Sequence, residues 1–149
     1  MITVLLVEDN MGDIELVQDA FEAVKVQLNM DIARDGVEAM SYFHQKLGTA
    51  NTKLPDLVLL DLNLPRKNGR EVLADIRADE RLRHIPVVIL TTSEAEQDII
   101  KSYQIGVNAY VTKPIGLEGL AKIVTLMEEF WFTIVKLPYC HAKSAANCD

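Results

Sequence analysis

"LVLLDLNLPRKNGR", residues 57–70, decides how the rest of the chain is read. Leu57 to Leu60 are four aliphatic residues without polar alternation, the pattern of a strand buried on both faces. Strands of that kind belong to parallel sheets covered by helices on each side. The run stops at a carboxylate, Asp61, and enters a loop holding Pro65 and Gly69. Desolvating a charge is costly, so a carboxylate at the end of the driest strand calls for a chemical reason.

Working outward, further apolar runs alternate with segments of helical period. Residues 2–7 (ITVLLV) read as a strand, and the stretch from Asp13 to Leu28 puts Ile14, Val17, Phe21 and Val24 on one helical face. Met30 to Ala33 predicts a short second strand, and Asp35 is a candidate N-cap for a helix running towards Leu47. After the strand at 57–60, a helix is expected from about Gly69 to Ala78, then a strand from Pro86 to Leu90. Ser93-Glu94-Ala95-Glu96 has the capping-box pattern for a helix that Gly106 could end. Ala109 to Thr112 makes a fifth strand, and a long last helix begins near Gly116. Five strands with a helix after each give an α/β fold with a parallel sheet and helices on both faces.

The bulk properties set bounds on function. A chain of 149 residues is read as one domain, with residues 1–136 globular and 137–149 a tail. A net charge of −7 argues against nucleic acid or an anionic membrane as partner. No apolar stretch approaches the roughly 20 residues of a membrane span, and the N-terminus lacks the pattern of a secretory signal. Cys140 and Cys148 both lie in the final stretch, so no disulfide framework is expected and a cytoplasmic location follows. His44, His84 and His141 are scattered without ligand spacing.

In an open parallel sheet, ligands bind beyond the carboxyl ends of the strands. Those ends deliver Glu8-Asp9, Asp61, Thr91-Thr92 and Lys113 to one edge. Two carboxylates about 4 Å apart repel by roughly 4 kcal/mol at an effective dielectric near 20, so the cluster invites a cation. Oxygen ligands without nearby His or Cys favour Mg²⁺ over zinc. Beside such an ion, Asp61 could be a nucleophile towards phosphorus, with Lys113 and Thr91 donating to phosphoryl oxygens.

"LLVEDN", "LVLLDLNLPRKNG", "IPVVILTTS" and "VNAYVTKP", in this order and spacing, resemble the receiver domains of two-component response regulators over residues 2 to about 130. The resemblance implies a flavodoxin-like sheet of order 2-1-3-4-5. It implies Asp61 as phosphoacceptor, and Glu8, Asp9, Asp61 and the Asn63 main-chain carbonyl around Mg²⁺. It further implies Thr91 as the switch hydroxyl, Lys113 as the phosphate-contacting lysine and Tyr110 as the switch aromatic. The expected function is acceptance of a phosphoryl group from a histidine kinase, with slow self-hydrolysis; such a domain is a signalling protein, not a turnover enzyme. A phosphorelay intermediate and a kinase-independent interaction scaffold are the alternatives. A phosphohydrolase of the haloacid-dehalogenase type is disfavoured, because Asp61 follows the third strand and Asn63 stands where that class has a second aspartate.

No stretch after the last helix is long enough for an effector domain, so output is expected through protein contacts. Leu117, Leu120, Val124, Met127, Trp131 and Ile134 form one apolar stripe; Ile123, Leu126, Phe130 and Leu137 form a second. One stripe is expected on the sheet and the other in a homodimer anchored by Phe130, Trp131, Phe132 and Leu137. "EEFWFTIVKLP" and "DLNLPRKNGREVL" are similar to stand-alone response regulators paired with cyanobacterial phytochromes, which implies a phytochrome kinase as partner.

Overall fold

A computed structural model describes residues 2–23, 27–50, 52–91, 105–113 and 116–128, with Thr91 described by its backbone. In chain order these form β1 (Ile2–Val7), α1 (Met11–Ala23), β2 (Leu28–Ala33), α2 (Gly36–Leu47), β3 (Leu57–Leu60), α3 (Gly69–Ala78), β4 (Val87–Thr91) and β5 (Ala109–Thr112). A further helix covers residues 117–128. The strands make one parallel sheet in the order β2-β1-β3-β4-β5.

The unbroken apolar runs divide between two cores. Leu5, Val7, Val58, Leu60, Val87 and Ile89 face α2 and α3, where they meet Phe43, Val72, Leu73 and Ile76. Val4, Leu6, Leu57, Leu59, Val88 and Leu90 face the opposite way, onto Ile14, Val17 and Phe21 of α1 and Leu120, Ile123 and Met127 of the last helix. Successive strand residues point to opposite faces, so a strand covered on both sides needs apolar residues at every position.

Two helix starts follow from local chemistry. The Asp35 side chain accepts from the Glu38 N–H at 2.8 Å and caps α2. Asn68 and Glu71 form a reciprocal capping box at the head of α3.

Three expectations need adjustment. Leu28 opens β2 rather than closing α1, because its backbone pairs in register with Ile2. Strand β4 runs one residue further than expected, to Thr91, which pairs with Thr112. The two stripes of the last helix are not separate: Leu120, Ile123 and Met127 are buried together, Val124 and Leu126 pack beside them, and Leu117 is 88% exposed. Gly106 has φ 101°, the left-handed region suited to a helix end, while Ser93-Glu94-Ala95-Glu96 lies outside the described residues.

At the sheet edge away from the acidic residues, Arg77 fastens α3 to the segment entering β5. Its guanidinium donates to the carbonyls of Gly106, Arg83 and Ile85 and to Asn108 Oδ1, at 2.7–3.0 Å.

Candidate functional site

Register builds the site. Val7 and Leu60 are partners across β1 and β3, so the next residues, Glu8 and Asp61, emerge side by side. The Glu8 N–H donates to Ala33 O and the Asp61 N–H to Val7 O, which fixes both backbones as extensions of the sheet. Lys113 follows β5, two strands from β3, and its long side chain spans the end of β4.

Glu8 and Asp61 are 1% and 5% exposed, while Asp9 is exposed. One carboxylate oxygen from each of Glu8, Asp9 and Asp61 lies within 4.8 Å of the others, the spacing of a shared cation. Glu8 Oε2 accepts from the N–H groups of Asp9 and Asn10. Asp61 Oδ1 accepts from the Asn63 N–H at 2.9 Å, tying the carboxylate to the loop that follows it.

Lys113 Nζ, almost wholly buried, donates to Glu8 Oε1, to Asp61 Oδ2 at 3.0 Å and to Asp13 Oδ2 at 2.9 Å. Burial alone would lower the lysine pKa, but three carboxylates outweigh it and hold the ammonium above its ordinary range. Burial pushes the Glu8 carboxyl up to about 7; Lys113 opposes the rise and Asp61 adds to it.

The loop after Asp61 is held by close backbone contact. A Cβ on Gly69 would stand 2.1 Å from the Asp61 carbonyl oxygen, so only glycine lets α3 begin there. Arg66 adopts φ 65°, and its guanidinium donates twice to Asp35 Oδ2, at 2.7 and 2.9 Å. The N-cap of α2 is thereby joined to the loop carrying Asn63.

The structure brings together Glu8, Asp9, Asp61 and Lys113 from the residues singled out in the sequence, and places Asn63 beside Asp61. Tyr110 is half-buried on β5 against the α2–α3 core. The Thr91 side chain lies outside the described residues, as do Phe130, Trp131, Phe132 and Leu137. Asp13 is the residue that sequence reasoning missed. Its signal was weak: an acidic residue in a first helical turn is common, and its bond to Lys113 comes from a partner 100 residues away.

A groove of about 780 Å³ lies between α2 and α3, away from this centre. Lys67 pairs there with Asp75 at 2.7 Å and Arg81 with Asp79 at 3.0 Å, so those charges answer one another. The strand-end cluster has four carboxylates against one ammonium. That excess suits a divalent cation held by oxygen ligands, and an exposed Asp9 leaves access for it. A carboxylate, a cation and an ammonium converging at one point can receive and stabilise a phosphoryl group.

Comparison with known proteins agrees with this chemistry. The profile of the response regulator receiver domain matches residues 4–125. The response regulator Rcp1 of Synechocystis sp. is 47% identical over 135 residues, spanning 91% of this chain and 92% of Rcp1. The crystal structure of Rcp1 in its Mn²⁺-bound form superposes with a TM-score of 0.73 at 46% identity, covering 88% of this chain and 94% of that one. The phosphorylated cyanobacterial phytochrome response regulator RcpA gives a TM-score of 0.72 at 50% identity, covering 89% and 94%.

Proposed function

The chain belongs to the response regulator receiver family, and from that premise we propose that it accepts a phosphoryl group from a histidine kinase onto Asp61. The observation that carries this reading is the direct bond from Lys113 Nζ to Asp61 Oδ2 beside the Glu8–Asp9–Asp61 cluster. The Asp61 carboxylate attacks phosphorus of a phosphohistidine; the new O–P bond forms as the N–P bond breaks, and the imidazole nitrogen keeps the electron pair. Hydrolysis later returns the carboxylate and inorganic phosphate. Glu8, Asp9, Asp61 and the Asn63 main-chain carbonyl would hold Mg²⁺, which supplies charge neutralisation for the incoming phosphoryl oxygens. Lys113 donates to one of those oxygens and the Thr91 hydroxyl to another. Through Thr91 and Tyr110 the change is carried to the surface formed by β4 and β5.

The likeness to Rcp1 and RcpA supports a phytochrome kinase as the donor. No helix among the described residues is long and apolar enough to cross a membrane, and a cytoplasmic site of action fits a kinase partner. Output passes through protein contacts, with self-association through the last helix as one of them. The 88% exposure of Leu117 and the apolar run continuing through Phe130, Trp131 and Phe132 to Leu137 support that contact.

Intact mass after incubation with Mg²⁺ and acetyl phosphate tests the reading. A single labile adduct of one phosphoryl group is expected on the unmodified protein and none on Asp61→Asn. An equal adduct on both would end it.

A further inference from the structure

Lys113 faces a conflict that its partners create. Two of the carboxylates it touches, Glu8 and Asp61, belong to the cluster whose oxygens converge within 4.8 Å as a cation site. A cation bound there draws on the same two carboxylates as Lys113, and the two positive centres repel at short range. The third partner, Asp13, lies outside that cluster. Its side chain is 28% exposed against 6% for Lys113, so it stands at the rim while the ammonium is inside.

We propose that Asp13 is a positioning residue: it holds the Lys113 ammonium at the rim when a divalent cation takes Glu8 and Asp61. This deepens the phosphoacceptor reading and rests on its cation site. Three features of the geometry support it. The Asp13 Oδ2–Nζ bond, at 2.9 Å, is already formed, so no side chain has to search for a new partner. The Asn10 cap sets Asp13 in the first turn of α1, on a regular element anchored by Ile14 and Val17. Lys113 is buried, and a buried ammonium stripped of its carboxylates would be left without compensation. With Asp13 in place the lysine keeps one anionic partner, stays charged, and remains within reach of a phosphoryl oxygen on Asp61.

Removing Asp13 should therefore tighten the grip of Lys113 on Glu8 and Asp61, and the cation should pay for it in affinity. A simple field effect of one lost negative charge would also weaken the cation, so the test must separate the two. Isothermal titration with MgCl₂ at constant ionic strength, on the full chain, compares the unmodified protein, Asp13→Asn, Lys113→Met and the double variant. Asp13→Asn is expected to weaken Mg²⁺ binding by roughly threefold to fivefold when Lys113 is present, the upper part of the range of an exposed ion pair. In the Lys113→Met background the same change is expected to stay within about twofold. Asp13→Ser, which keeps a small polar side chain in the first helical turn, should repeat the pattern if Asp13→Asn folds poorly. An equal loss in both backgrounds would reduce Asp13 to a distant charge and overturn the proposal, as would no loss, or tighter binding, with Lys113 present. No Mg²⁺ binding by the unmodified chain would instead overturn the cation site itself, a distinct failure.

Discussion

Two features act on Glu8 in the same direction: the fold buries it to 1% exposure, and its neighbourhood is anionic. Burial first, with Asp61 adding to it against Lys113, pushes its carboxyl from the ordinary 4.5 up to about 7. A raised acid pKa means that the folded protein binds the proton more tightly than the unfolded chain. The associated stability is fully present below pH 4.5 and is lost as pH rises through about 7. In chelator, denaturant titrations should show stability falling between about pH 4.5 and pH 7 and levelling off above, and Glu8→Gln should flatten that slope. A cation favours the ionised carboxylate, so Mg²⁺ affinity should rise by up to about tenfold per pH unit below pH 7 and level off above it. Affinity independent of pH across that range would show that Glu8 is already ionised before the cation arrives. Residues of this kind were legible in the sequence as polar side chains ending apolar strands. The pairing of Lys113 with Asp13 was not, since the two are 100 residues apart and meet only across the sheet edge.

Helix α2 depends on one carboxylate with two duties. Asp35 caps its N-terminus and binds Arg66, whose positive φ lies in the loop after Asp61. The Glu38 N–H and the Arg66 guanidinium hold the Asp35 carboxyl below its ordinary value of 3.8, against a smaller opposing effect of burial. A lowered acid pKa gives stability that is present above the unfolded value and lost as pH falls through the lower folded one. Asp35→Ala should cost about 1 kcal/mol at pH 7, the usual loss of a cap, with more where Arg66 is released. Asp35→Asn keeps a cap but carries no charge, and should show a shallower loss of stability below pH 4. Equal acid limbs for the two proteins would contradict the ion-pair account. The cap itself was readable in "RDGVEAM", because an Asp before an amphipathic run needs only local geometry. Its bond to Arg66 joins two loops 31 residues apart, and no local pattern announces such a contact.

For the whole molecule, the open outcome is what the last helix touches. Its inner face contributes Leu120, Ile123 and Met127 to the core, while Leu117 points to solvent. Light scattering should give a dimer mass for the unmodified chain and a lower mass for Trp131→Ala; a monomer in both cases would end the self-association proposal. The sequence by itself determined the strands at 57–60 and 109–112, the helix at 69–78 and the parallel character of the sheet. Each rests on short-range periodicity: unbroken apolar runs demand burial on both faces, and caps need only neighbours. It also determined that Glu8, Asp9 and Asp61 gather, because strand ends in a parallel sheet share one edge. Tertiary structure alone decided that Leu28 belongs to β2, since pairing with Ile2 outweighs a continuing helical pattern. It likewise decided which side of the last helix is inside, and that Asp13 joins Glu8 and Asp61 on Lys113. These are choices between competing long-range partners, and they are settled by geometry across the sheet rather than by any local run of residues.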